Sequence, residues 1–78
     1  MIIGKMSDQC NICGHNVRLL REQKKISQDQ LAAKLQTEGL SVNQNSISRI
    51  ETGKRLVADY ELKALAKVLN VDIETLLS

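Results

Sequence analysis

The stretch SVNQNSISRIETGKR, residues 41–55, decides how this chain reads. It opens on a helix-capping signal, either Asn43 or Ser41 paired with Gln44, and it closes at Gly53, a residue suited to a left-handed helix stop. Inside the helix that starts at Asn43, Ile47 and Ile50 are the only apolar residues, three apart and so on one face. Gln44, Asn45, Ser48 and Arg49 fall on the other face, and Lys54 and Arg55 lie just past the stop. Two aliphatics hold such a helix from beneath while its amides, hydroxyls and guanidinium face outward. Those groups carry a specific chemistry. A side-chain amide matches the donor–acceptor pair of adenine in the major groove, and Arg matches N7 and O6 of guanine. A solvated polar helix would have the same composition, so the stretch is decided by its surroundings.

Upstream, Val17 and Leu20 point inward from a helix expected over about 16–24, with Arg18, Arg21, Glu22 and Lys24 outward. After a Lys25-Ile26 link, Ser27 and Gln30 form a capping-box pattern ahead of the apolar stripe Leu31, Ala32, Leu35. That second helix is expected to reach about Glu38 and stop at Gly39. Downstream, Leu62, Leu65, Ala66 and Leu69 mark a fourth helix over 59–69, with Asn70 as its left-handed stop. Asp72 caps a last short helix bearing Ile73, Leu76 and Leu77. There is no strand signal and no repeat, so the fold class is all-α with five helices.

Composition bounds the function. Seventy-eight residues, 42% of them hydrophobic, suffice for one small domain and exclude a large enzyme with a deep cleft. Phe, Trp and Pro are absent and Tyr60 is the one aromatic, so the core is aliphatic. That also weighs against single-stranded nucleic acid, which is normally bound by base stacking. The net charge is only +2, but residues 1–58 hold nine basic and five acidic side chains, while 59–78 hold two and four. One end therefore suits a polyanion. The start is too short and polar for a signal peptide, and no run approaches the roughly 20 apolar residues of a membrane span, so a cytoplasmic protein without membrane contact is expected. Residues 1–13 lack periodicity and are expected to form a flexible N-terminal tail, leaving 14–78 as the domain.

No catalytic set stands out. His15 is the sole histidine, there is no glycine-rich phosphate loop, and no enzyme activity, cofactor or small-molecule substrate is expected. Cys10-x-x-Cys13-x-His15 offers three candidate ligands where a structural zinc site wants four. Its cysteines can also be read as a redox pair or as incidental thiols; the incidental reading is adopted, without a metal.

Taken in order, the pieces of residues 14–77 resemble the Cro/CI-type (XRE family) helix-turn-helix domain of bacterial and phage repressors. They are Gly14-x-x-Val17-Arg18-x-Leu20-Arg21, Ile26-Ser27-Gln28-x-x-Leu31-Ala32, and Ile47-Ser48-Arg49-Ile50-Glu51-x-Gly53-Lys54-Arg55. Leu65-Ala66-x-x-Leu69-x-Val71 and Leu76-Leu77 complete the match. The resemblance implies a five-helix lambda-repressor-like domain whose second and third helices form the DNA-binding unit. It implies sequence-specific binding of double-stranded DNA by a transcriptional regulator, expected to repress, with an antitoxin or restriction-modification controller as the alternative within the fold. A protein-interaction module without DNA binding is the alternative outside it. The expected DNA-binding residues are Ser27, Gln28, Asn43, Gln44, Asn45, Ser48, Arg49, Lys54 and Arg55, with Gln28 touching phosphate and bracing Gln44. Arg21 and Glu51 occupy positions that often pair as an internal salt bridge in this family. The sequence departs from the family pattern in a longer stretch between Leu35 and Ile47, and in Ala58 where a Ser or Thr cap is usual, with Asp59 as its expected substitute. A homodimer is expected, because doubling the contacts gives a small domain its specificity, and Ile73 and Leu77 are its expected seam.

Overall fold

Helix boundaries in this chain follow from where the first backbone N–H groups find acceptors. A computed structural model describes residues 9–78. Among them the regular structure is five helices: α1 (Gly14–Gln23), α2 (Gln28–Thr37), α3 (Gln44–Glu51), α4 (Asp59–Leu69) and α5 (Ile73–Leu77). Ser27 and Gln30 close a reciprocal capping box on α2, with Ser27 Oγ accepting from Gln30 N–H at 3.0 Å and Gln30 Oε1 accepting from Ser27 N–H at 2.7 Å. Asn43, not Ser41, caps α3, its Oδ1 accepting from Ser46 N–H at 2.9 Å. Asp72 caps α5 through Thr75. Asn70 takes the left-handed conformation at the end of α4.

The sequence reading is corrected at three places. α1 starts at Gly14 rather than about residue 16, because Asn11 Oδ1 accepts from Gly14 N–H at 2.7 Å. The expected flexible tail is therefore too long: Cys10 N–H donates to Gly53 O at 2.8 Å, and Cys13 is buried at 2% exposure. Residues 1–8 of that tail lie outside the described residues. At the start of α4, Asp59 does not replace the missing cap; Glu61 Oε1 instead accepts from Ala58 N–H at 3.0 Å, half of a capping box.

The core draws one stripe from each helix. Val17, the α2 residues Leu31, Ala32 and Leu35, Ile47 and Ile50, the α4 residues Leu65, Ala66 and Leu69, and Leu76 pack together with Cys13 and Val42. Each buried Leu or Ile contributes about 1.5–3 kcal/mol. α3 lies across α2 and α1, and α4 closes the other side against α1, α2 and α5. The link between α2 and α3 folds back on the core. Gly39 adopts φ +92, Val42 is buried, and Gln36 Nε2 donates to Val42 O at 2.7 Å. Lys67 Nζ of α4 meets Glu38 Oε1 at 2.9 Å across this turn.

Candidate nucleic-acid interface

α3 is eight residues long and is anchored by Ile47 and Ile50 alone. Since 3.6 residues make a turn, Asn45, Ser48 and Arg49 centre on the face opposite those anchors, with Gln44 beside them. Gln44, Asn45 and Arg49 are exposed and Ser48 is half-exposed. Lys54, past the Gly53 stop, is exposed as well. The amide oxygen of Asn43 is spent on the cap.

Behind this face runs a chain of polar contacts joining three helices. Arg21 Nε of α1 meets Glu51 Oε2 at 2.6 Å and Nη2 meets Oε1 at 3.1 Å, while Nη1 donates to Ile26 O at 2.8 Å. Glu51 Oε1 also accepts from Gln28 Nε2 of α2 at 3.0 Å, and Gln28 Oε1 accepts from Gln44 Nε2 at 2.7 Å. Arg21 and Glu51 are 12% and 3% exposed, and the bonds to Glu51 raise the Arg21 pKa further above its ordinary value. A buried charge pair at the end of α3 thus fixes Gln28, and Gln28 fixes the first side chain of the outward face. The Gln28–Glu51 bond was not foreseen from the sequence; a side-chain pairing across 23 positions leaves no periodic trace.

Arg55 stands apart from the group in which the sequence placed it. Its Nη1 and Nη2 grip Glu61 at 2.9 and 2.7 Å and Nη1 also reaches Leu56 O at 2.8 Å, so its guanidinium is committed to the α3–α4 loop rather than held out for a phosphate. Arg55 holds the Glu61 carboxyl below the usual carboxylate range, aided by the Ala58 N–H. Ser27 Oγ is likewise occupied by its cap, while the first-turn amides of Gln28 and Asp29 have no intrahelical partner, as at any helix start. Asp29 in that turn adds a negative charge where an anion would approach.

The matching family model, described as helix-turn-helix, covers residues 17–76. The chain belongs to the XRE family of helix-turn-helix domains. Compared with curated proteins and with solved structures, it matches none. XRE domains of this Cro/CI type are DNA-binding regulatory domains, and in this one α2 and α3 are the helix-turn-helix pair. No helix among the described residues is long and apolar enough to cross a membrane.

The two thiols of this XRE domain differ in setting. Cys10 is exposed, while burial pushes the Cys13 thiol up from its ordinary pKa, the opposite of an activated thiolate. Among the described residues no three His, Cys, Asp or Glu side chains converge as metal ligands. At the far end of the domain Leu76 is fully buried, whereas Ile73 and Leu77 are 38% and 42% exposed. Leu77 borders a shallow apolar groove with Ile12, Val57 and Leu62.

Proposed function

We propose that this chain binds double-stranded DNA sequence-specifically by laying α3 in the major groove, and that it acts as a homodimeric transcriptional repressor. The observation that carries the reading is the outward face of α3: a polar surface whose leading side chain, Gln44, is held in place by Gln28, Glu51 and Arg21. Pre-setting a side chain before contact lowers the entropy lost on binding, and a merely solvated helix has no use for it. Gln44, Asn45, Ser48 and Arg49 would meet base edges. Lys54, the hydroxyl of Ser27, the free amide hydrogens of Asn43 and the start of α2 would meet phosphates. Arg55 supports the loop from within.

Repression requires only that a bound dimer occupy its operator, and no catalytic step or cofactor is assigned. As a DNA-binding regulator of this kind it would act in the cytoplasm. The half-exposed Ile73 and Leu77 are the proposed seam, paired by two-fold symmetry so that both α3 helices face one side of the duplex.

Selection of bound duplexes from a random pool tests the reading. A defined motif is expected, and Arg49→Ala should relax one base pair of it, whereas Lys54→Ala should weaken all duplexes alike and lower the salt slope by about one. Absence of duplex affinity even at low salt would leave a protein-interaction module instead.

A further inference from the structure

We infer that Asn11, which lies ahead of the first helix and outside the helix-turn-helix, is a positioning residue for base reading: it sets the angle at which α3 is presented to DNA. The inference rests on the DNA-binding function proposed above and adds to it a residue that need not touch the duplex.

Three elements meet at this one carboxamide. Asn11 Oδ1 accepts from Gly14 N–H at 2.7 Å and so caps α1. Its Nδ2 donates to Ile50 O in the last turn of α3 at 3.1 Å and to Arg55 O in the following loop at 2.8 Å. Ile50 O already accepts from Gly53 N–H at 3.1 Å and takes Asn11 as a second donor, while the Arg55 carbonyl receives its donor from outside the loop. The backbone runs parallel to this contact, with Cys10 N–H donating to Gly53 O at 2.8 Å. Gly14 makes the approach close: a Cβ built there would overlap the Ile50 carbonyl oxygen. The segment 10–14 is thus a strap fastened to α3 at Ile50 and to the loop at Gly53 and Arg55.

The strap matters because α3 is short and lightly anchored. Eight residues span roughly 12 Å, and only Ile47 and Ile50 are rooted in the core. Gln28 steadies the start of the helix and Arg21 steadies Glu51. Asn11 adds a second restraint from the α1 side on the same terminal turn, this one on the backbone at Ile50 rather than on the Glu51 side chain. With this backbone restraint released, α3 can rock about its two aliphatics, and bidentate base contacts tolerate only a fraction of an ångström of misplacement. Phosphate contacts from mobile lysines are far less sensitive to such a tilt.

This division gives the test. Asn11→Ser retains an oxygen for the Gly14 N–H, but its shorter hydroxyl with a single hydrogen cannot serve both Ile50 O and Arg55 O, and Asn11→Asp retains the acceptor while removing both N–H donors. Binding is measured well below the melting temperature, against a duplex selected by the wild-type chain and against a scrambled duplex of equal length. Both variants are expected to fold cooperatively and to bind the scrambled duplex with wild-type affinity and salt slope. Their affinity for the selected duplex should fall by roughly tenfold, the size of one weakened base contact. Unchanged discrimination in a folded Asn11→Ser, an equal loss on both duplexes, or failure of both variants to fold would each overturn the positioning role. If the wild-type chain itself selects no motif, the DNA-binding reading fails first and this inference with it.

Discussion

Arg21 and Glu51 stand 30 positions apart in the chain, yet their side chains meet at 2.6 Å, and the same carboxylate accepts from Gln28. The pair therefore bolts α1 to the end of α3, while Gln28 adds α2. Both partners are largely withdrawn from water, so the attraction is weakly screened, and its desolvation cost is offset by four hydrogen bonds, three of them made by Arg21.

Glu51→Ala should accordingly lower unfolding stability by about 3 kcal/mol, since it leaves a sequestered guanidinium without its counter-charge. Urea denaturation checks this. Replacing both partners with aliphatic residues of similar volume should cost much less, and a single substitution whose midpoint coincides with wild type would show that the pair contributes nothing.

Gly14→Ala should be among the costliest single-methyl changes in the chain. The added Cβ meets backbone, the Ile50 carbonyl, which cannot yield unless α1 and α3 separate. A loss near the upper end of the usual overpacking range, about 3 kcal/mol, is expected. Gly39→Ala is the control. Its Cβ would enter open space, and only the strain of φ +92 opposes it, about 1–2 kcal/mol. Thermal melts that ranked Gly39→Ala as the more damaging would contradict the close approach of α1 to α3.

Acid should weaken the fold through Glu61. Hydrogen bonds from Arg55 depress its folded pKa below the ordinary value of 4.5, so the unfolded chain takes up the proton first as pH falls. The stabilisation is complete above about pH 4.5 and is lost as pH drops through the lower folded value. Asp72, depressed by Thr75, acts in the same direction. Melting temperature measured from pH 7 to pH 3 should fall less steeply for Glu61→Gln than for wild type, with the two curves converging in acid. Parallel curves would mean that the Arg55–Glu61 clamp is not formed in solution.

Ile73→Asp should leave the monomer folded, because that side chain is already 38% exposed, and should reduce both self-association and operator affinity. Leu76→Asp, at a fully buried position of the same short helix, should unfold the domain. A strict monomer by sedimentation, alone and on a duplex with two half-sites, would remove the seam.

Much of this architecture is written in local signals. Helix period gave the buried stripes, and the caps Ser27, Asn43 and Asp72, with the stops Gly39, Gly53 and Asn70, act within three or four residues of their own positions. The outward face of α3 is legible for the same reason: a helix whose only apolar residues are Ile47 and Ile50 has one way to sit on a core. Residue identity alone cannot say which polar side chains are spent internally. Lys54 and Arg55 read alike as cations past a helix stop, and only the arrival of Glu61 from the first turn of α4 separates them. Asn11 reads as one more polar residue in an aperiodic start, yet the two carbonyls to which it donates lie 39 and 44 positions away. Backbone capping is a short-range interaction and leaves its mark in adjacent letters. Where a long side chain finds its hydrogen bonds depends on which backbone or charge the packed core brings beside it, and that is decided only once α1, α3 and α4 have met.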